Sequence, residues 1–224
     1  MATKKSQENA AVENPTVGTP EALIDQYKKP FMYGLGIIIA LIAAIFAYNS
    51  YSESRNQAVS EAMFRGQEYF AADNYDKALN GDGQGFEGFL KIAEENGSTD
   101  AGNLAKLYAG MSYAQTGKYE EAVKFLEDFD ACDDEIITPS AIAMLGNCYA
   151  QLGDNEKAAK TLVKAAKMAD NATLSPFYWM QAGEIYEAMG ENEEALDCYK
   201  EIKENYVSSM QYNEIEKYIE RLSK

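Results

Sequence analysis

The chain has 224 residues, with 36 acidic and 20 basic side chains, a net charge of −16 and no histidine. That length suits one or two domains, and so acidic a surface is repelled by phosphate backbones, which argues against nucleic acid as a partner. Without histidine the usual general base, zinc nitrogen ligand and triad member are missing. Cys132, Cys148 and Cys198 include no C-x-x-C pair, and an odd number cannot be fully paired within one chain. Cys148 and Cys198 fall at helical packing positions and read as buried free thiols.

Residues 1–30 are polar, contain Pro15, Pro20 and Pro30, and balance four lysines against four acids. They read as a flexible tail, with a short amphipathic stretch over 22–27. The excess acid therefore lies wholly after this segment. Residues 31–48 (FMYGLGIIIALIAAIFAY) carry no charge and meet the length for a membrane-spanning helix. Tyr33 at one end and Tyr48 and Tyr51 at the other suit the two interfaces. A long polar lead and a long apolar core disfavour a cleaved signal peptide. Lys28 and Lys29 precede the span, which places the N-terminus in the cytoplasm and the rest outside it, in the periplasm of a Gram-negative cell. Gly36, Ala40 and Ala44 form a small-residue stripe that suits packing on another helix or a lone lipid-facing span equally well. No helix breaker stands in 52–58, so the helix is expected to run on.

From there two-helix units recur. Gly183, Tyr186, Gly190, Ala195, Tyr199 and Ile202 share their offsets with Gly146, Tyr149, Gly153, Ala158, Leu162 and Ala165, and with Gly110, Tyr113, Gly117, Ala122, Leu126 and Phe129. A degraded copy has Gly66, Tyr69, Tyr75 and Ala78, with Asp73 where the others place a turn glycine. Small residues at facing positions let two helices approach closely, and a glycine between them takes the positive φ that ends the first. The first glycines stand 44 (Gly66 to Gly110), 36 (Gly110 to Gly146) and 37 (Gly146 to Gly183) residues apart. The long first interval contains NGDGQG (80–85) and a new apolar run, Phe86, Phe89, Leu90 and Ala93. This glycine run lacks the Lys-Ser/Thr of a phosphate loop. Past Tyr206, Tyr212, Ile215, Ile219 and Leu222 share one helix face and close the array.

These units resemble the tetratricopeptide repeat, a helix–turn–helix of 34 residues. Trp179 matches its tryptophan; Gly110, Gly146 and Gly183 match its glycine; Ala122, Ala158 and Ala195 match its alanine. The terminal proline is absent, although Pro139 and Pro176 begin two units. The resemblance implies an all-α chain: a right-handed superhelical helix–turn–helix solenoid preceded by one transmembrane helix. The expected layout is a cytoplasmic tail (1–30), a span (31–51), a degraded repeat with its insertion (52–99), three repeats (103–209) and a capping helix (210–224).

No catalytic constellation, metal cluster or cofactor motif is apparent; the paired acids read as solvated faces. The resemblance instead implies an inner groove lined by first helices. Counting from the repeat glycine, its residues are Leu104, Leu107, Met111, Gln115, Asn147, Gln151, Phe177, Met180, Glu184 and Glu187. This strip is apolar at one end and acidic at the other, and methionine surfaces repack around varied segments. Some of these residues are alternatively expected only to touch the 86–97 insertion or the closing helix. Repeats that clamp a terminal carboxylate use Lys, Asn and Arg where this chain has Leu107, Met111, Met144, Phe177 and Gln181. The whole layout resembles the YfgM-type family, which implies a membrane-anchored module beside the protein-export translocon that assists exported clients. A scaffold subunit of another envelope assembly, and a regulatory domain with a small-molecule site at the 80–97 insertion, are the alternatives; organellar anchoring with cytosolic repeats is a third.

Overall fold

The computed structural model describes residues 20–223, with side chains from residue 32 onward. Residues 1–19 of the expected tail therefore lie outside the described residues. The chain divides into two units, 1–51 and 52–224, each taken by itself below.

The first helix, α1, runs Pro20–Ala71. It begins inside the stretch expected as tail and includes Pro30. Over the first unit it is an apolar rod: Ile37, Ile38, Ile39, Leu41, Ile42 and Ile45 are all exposed. It is long and apolar enough to cross a membrane, with a mean hydropathy of 2.0 over its most apolar stretch and none of that stretch buried. A row of large aliphatic side chains has no stable place in water, whereas lipid accepts it without a partner.

In the second unit the last turns of α1 are followed by α2 (Tyr75–Asn80), α3 (Phe89–Asn96), α4 (Asp100–Gln115), α5 (Tyr119–Glu127), α6 (Ile137–Gln151), α7 (Asn155–Ala169), α8 (Ser175–Met189), α9 (Asn192–Asn205) and α10 (Tyr212–Leu222). Among the described residues there is no strand. The turns between paired helices fall where the glycines predict: Gly117, Gly153 and Gly190 take φ of 74°, 81° and 80°. The degraded unit makes the same turn with Asp73 at φ 56°. Aspartate tolerates that conformation better than most residues, and the Tyr75 hydroxyl donates to its carboxylate at 2.6 Å.

The repeat offsets are contact rules. A Cβ on Gly110 would lie 2.7 Å from Leu126, one on Gly146 2.9 Å from Leu162, and one on Gly183 2.4 Å from Tyr199. Each glycine thus opens a gap that the large residue of the second helix fills, while Ala122, Ala158 and Ala195 are wholly buried beside it. In the degraded unit α2 stops too early to supply that residue. A Cβ on Gly66 would instead meet Phe86 and Phe89, both at 2.5 Å. Phe89, fully buried at the start of α3, takes the place of the missing second half of the helix.

One carboxylate holds that substitution together. Asp82 accepts from the N–H of Gln84 at 2.7 Å, the N–H of Phe86 at 3.1 Å and the hydroxyl of Tyr69 at 3.0 Å, and Arg65 Nε lies 2.9 Å away. The Gln84 N–H first, with Phe86, Tyr69 and Arg65, holds its carboxyl below the ordinary value against the opposing effect of burial. The glycine-rich run is therefore a structural loop wrapped around its own aspartate.

At the other end α10 covers α9. Ile215 is 1 % exposed, with Tyr218, Ile219 and Leu222 packed beside it. Lys203 pairs with Glu216 at 2.5 Å. Cys148 and Cys198 are buried and free, and burial pushes their thiols up to about 11 and about 12.

Candidate partner-binding groove

The strip expected as the groove separates into three environments. In α4, Leu107 is buried and Met111 half-buried, and together they form one wall of an apolar cleft of about 270 Å³. The opposite wall is Ile136, Ile137 and Met144, with Ser140 and Ala141 between. Leu104, one turn before Leu107, packs into the junction of two core clusters instead of lining a surface. Gln115 and Gln151 are exposed at the far ends of α4 and α6, and Asn147 is half-buried.

In α8, Phe177 is 46 % exposed and meets Tyr178 edge-on, with ring centroids 5.9 Å apart. The Tyr178 hydroxyl donates to Ser140 Oγ at 3.1 Å, which ties α8 to the floor of the cleft. Met180 lines a separate, shallow depression with Met210 and Gln211. Glu184 is exposed; burial of part of its surface, and the neighbouring Glu187 charge, raise its pKa. Glu187 is committed internally: it accepts from Tyr199 at 3.1 Å and from Arg221 of α10 at 2.6 Å. The acidic end of the expected strip is thus partly taken up by the closing helix.

Ile136 and Ile137 belong to the cleft but not to the expected strip. They stand 66 % and 48 % exposed because the segment before α6 is pinned on both sides. Lys106, buried in α4, donates to the Asp128 carbonyl at 2.9 Å and pairs with its carboxylate at 3.0 Å. Asn103 and Asp130 exchange two hydrogen bonds of 2.8 Å each. Thr138 Oγ1 accepts from the Cys132 N–H at 2.9 Å and donates to the Cys132 carbonyl at 3.1 Å. Asp134 accepts from the N–H groups of Ile136, Ile137 and Thr138 and so caps α6. Burial works to raise the Asp134 carboxyl, but the bonds from Thr138, Ile136 and Ile137 prevail and hold it below its ordinary value. The cap starts α6 at Ile137, ahead of Pro139, and turns both isoleucines outward. The aspartate three residues before Ile137 is the sequence signal for this early start.

A stack of helix pairs with repeated packing contacts and an open apolar cleft between successive first helices defines a helical-repeat protein, a class built to bind other proteins. More narrowly, the chain belongs to the tetratricopeptide repeat-like domain family, which it matches over residues 24–220, the apolar helix included. Its fold is similar to two crystal structures of MamA. One is 17 % identical at a TM-score of 0.51, over 70 % of this chain and 92 % of that one. The other is 16 % identical at a TM-score of 0.51, over 73 % of this chain and 89 % of that one. No curated protein matches the chain. The family is one of protein–protein interaction modules, and among the described residues one helix is long and apolar enough to cross a membrane.

Proposed function

We propose that this protein is a membrane-anchored interaction module without enzymatic activity, its N-terminus cytoplasmic and its repeats on the outer side of an inner membrane. There it holds extended or amphipathic segments of exported proteins beside a membrane complex, in the manner of the YfgM-type family it resembles. The observation that carries this reading is the solvent-open apolar cleft between α4 and α6, in a chain that also has, among its described residues, one helix long and apolar enough to cross a membrane. Lys28 and Lys29 ahead of the span support the orientation. The proposed binding surface comprises the cleft residues Leu107, Met111, Ile136, Ile137 and Met144 and, in separate positions on α8, Phe177 and Met180.

Photo-crosslinking in living cells tests it. A photoreactive residue is placed at Met111, at Met180 and, as a surface control, at Lys164. Adducts from Met111 and Met180 to export-machinery subunits or to many exported chains are the expected result. One stable partner from another envelope assembly transfers the protein to the scaffold class. Adducts from the control alone remove the groove from consideration. A reporter active only outside the cytoplasm, fused after the last residue, tests the orientation and must be active.

A further inference from the structure

We infer that the cleft between α4 and α6 takes a branched aliphatic side chain from a partner segment that carries a lysine or arginine next to it, the cation lying on the acidic lip at Asp133 and Glu135. This rests on the groove reading above and specifies the chemistry of the occupant.

Size comes first. At about 270 Å³ the cleft falls just below the roughly 300–1,000 Å³ of small-molecule sites, so it suits one or two side chains better than a cofactor. Its walls favour aliphatic shape. Ile136 and Ile137 are stiff at χ1, while Met111 across from them and Met144 beside them adapt to the guest. The isoleucines are not loose residues awaiting a place in the core. The Asp134 cap and the Thr138–Cys132 bonds hold their backbone, so the cleft is formed before a partner arrives. That preorganisation lowers the ordering cost of binding.

Charge selects the neighbour of the aliphatic group. Glu135 directly precedes Ile136 in the cleft wall, and Asp133 lies two residues before it. Both are exposed, and neither belongs to an ion pair among the described residues. Lys106 of α4, which reaches this loop, is buried and already shared by Asp128 and Asp130. The lip is therefore negative and uncompensated, in a chain of net charge −16. A segment with acidic flanks is repelled there, and one with basic flanks is steered in. The same charge disfavours a second copy of this chain as the occupant.

The test uses the full-length protein in neutral nanodiscs and fluorescence anisotropy with three short synthetic peptides. One alternates leucine with lysine, one replaces each lysine by glutamate, and one keeps lysine but replaces each leucine by serine. The leucine–lysine peptide is expected to bind at least about tenfold more tightly than either of the others, with an affinity that falls as salt rises. Ile137→Glu is expected to abolish that preference. Because Ile137 is half-exposed, the variant retains its thermal transition; Ile136→Asp provides an independent second variant. Asp133→Asn with Glu135→Gln is expected to bring the lysine and glutamate peptides within about threefold of each other while keeping the leucine requirement. Equal binding of the lysine and glutamate peptides overturns the inference and leaves the groove reading intact. Binding that survives both isoleucine variants overturns the inference by moving the occupant elsewhere. Concentration-dependent self-association of the protein that Ile137→Glu abolishes also overturns it, in favour of a second copy.

Discussion

Gly183→Ala puts the repeat geometry under direct strain. In an ordinary helix interior the change is favourable by about 0.5–1 kcal/mol, because alanine has less backbone freedom to lose. Here the new methyl would stand 2.4 Å from Cε1 and 2.9 Å from Cδ1 of Tyr199. The ring cannot yield easily: Tyr199 is fully buried and its hydroxyl is held by Glu187 at 3.1 Å. Overpacking of this kind costs about 1–3 kcal/mol, so the net change is a loss of up to about 2.5 kcal/mol. For a unit of this size that lowers the melting temperature by up to about 10 °C. Repeats couple only to their neighbours, so hydrogen exchange is expected to quicken in α8, α9 and α10 and to stay unchanged in α3. Far-UV circular dichroism on the full chain in detergent reads the first effect and exchange mass spectrometry the second. Gly66→Ala is expected to behave alike, with Phe86 and Phe89 as the obstruction. Gly36→Ala is the control, since its methyl meets nothing within 4 Å. A melting temperature raised by Gly183→Ala would refute the argument that the repeat glycines are spacers.

Three further outcomes are expected. Asp82 has a folded-state pKa below its unfolded value of 3.8. Its contribution to stability is therefore present above that value and is lost as pH falls through the depressed folded pKa. The melting-temperature gap between the native chain and Asp82→Asn should be widest near neutrality and should close in acid; a gap independent of pH refutes the assignment. A thiol reagent on the native protein should label Cys132 alone, and all three cysteines in denaturant, because Cys148 and Cys198 are buried with thiols raised to about 11 and 12. Ile215→Ala empties a fully buried site under α10 and should cost about 2–4 kcal/mol, seen as rapid exchange confined to α10 and α9.

How far the sequence discloses this molecule depends on how each feature is encoded. The three later repeats are legible because one interhelical contact, glycine against leucine or tyrosine, recurs at one fixed offset. The degraded repeat makes the same contact from Gly66 but reaches it through Phe86 and Phe89, after a loop built on Asp82. No periodicity reveals that, since the connection is made by hydrogen bonds to a side chain. The cleft was half visible. Leu107 and Met111 follow from helix register, whereas Ile136 and Ile137 precede the proline taken as the start of their unit. Asp134 was the available signal and lies one turn upstream. Glu187 shows the converse limit: its spacing places it in the strip, and only the arrival of Arg221 from α10 shows that it is spoken for.

That carboxylate also bears on how α10 seats on the stack. A helical stack that ends on a bare apolar face invites the next helix pair, from the same chain or another, and stacking of that kind need never close. Here Glu187, Tyr199 and Arg221 join three helices, and the outer side of α10 carries Glu214, Lys217 and Glu220 exposed. A further unit docking there would have to strip water from those charges with nothing to replace it. At α10 the stack thus presents charge where each earlier helix pair presents an apolar face, and a further helix pair finds little there to pack against.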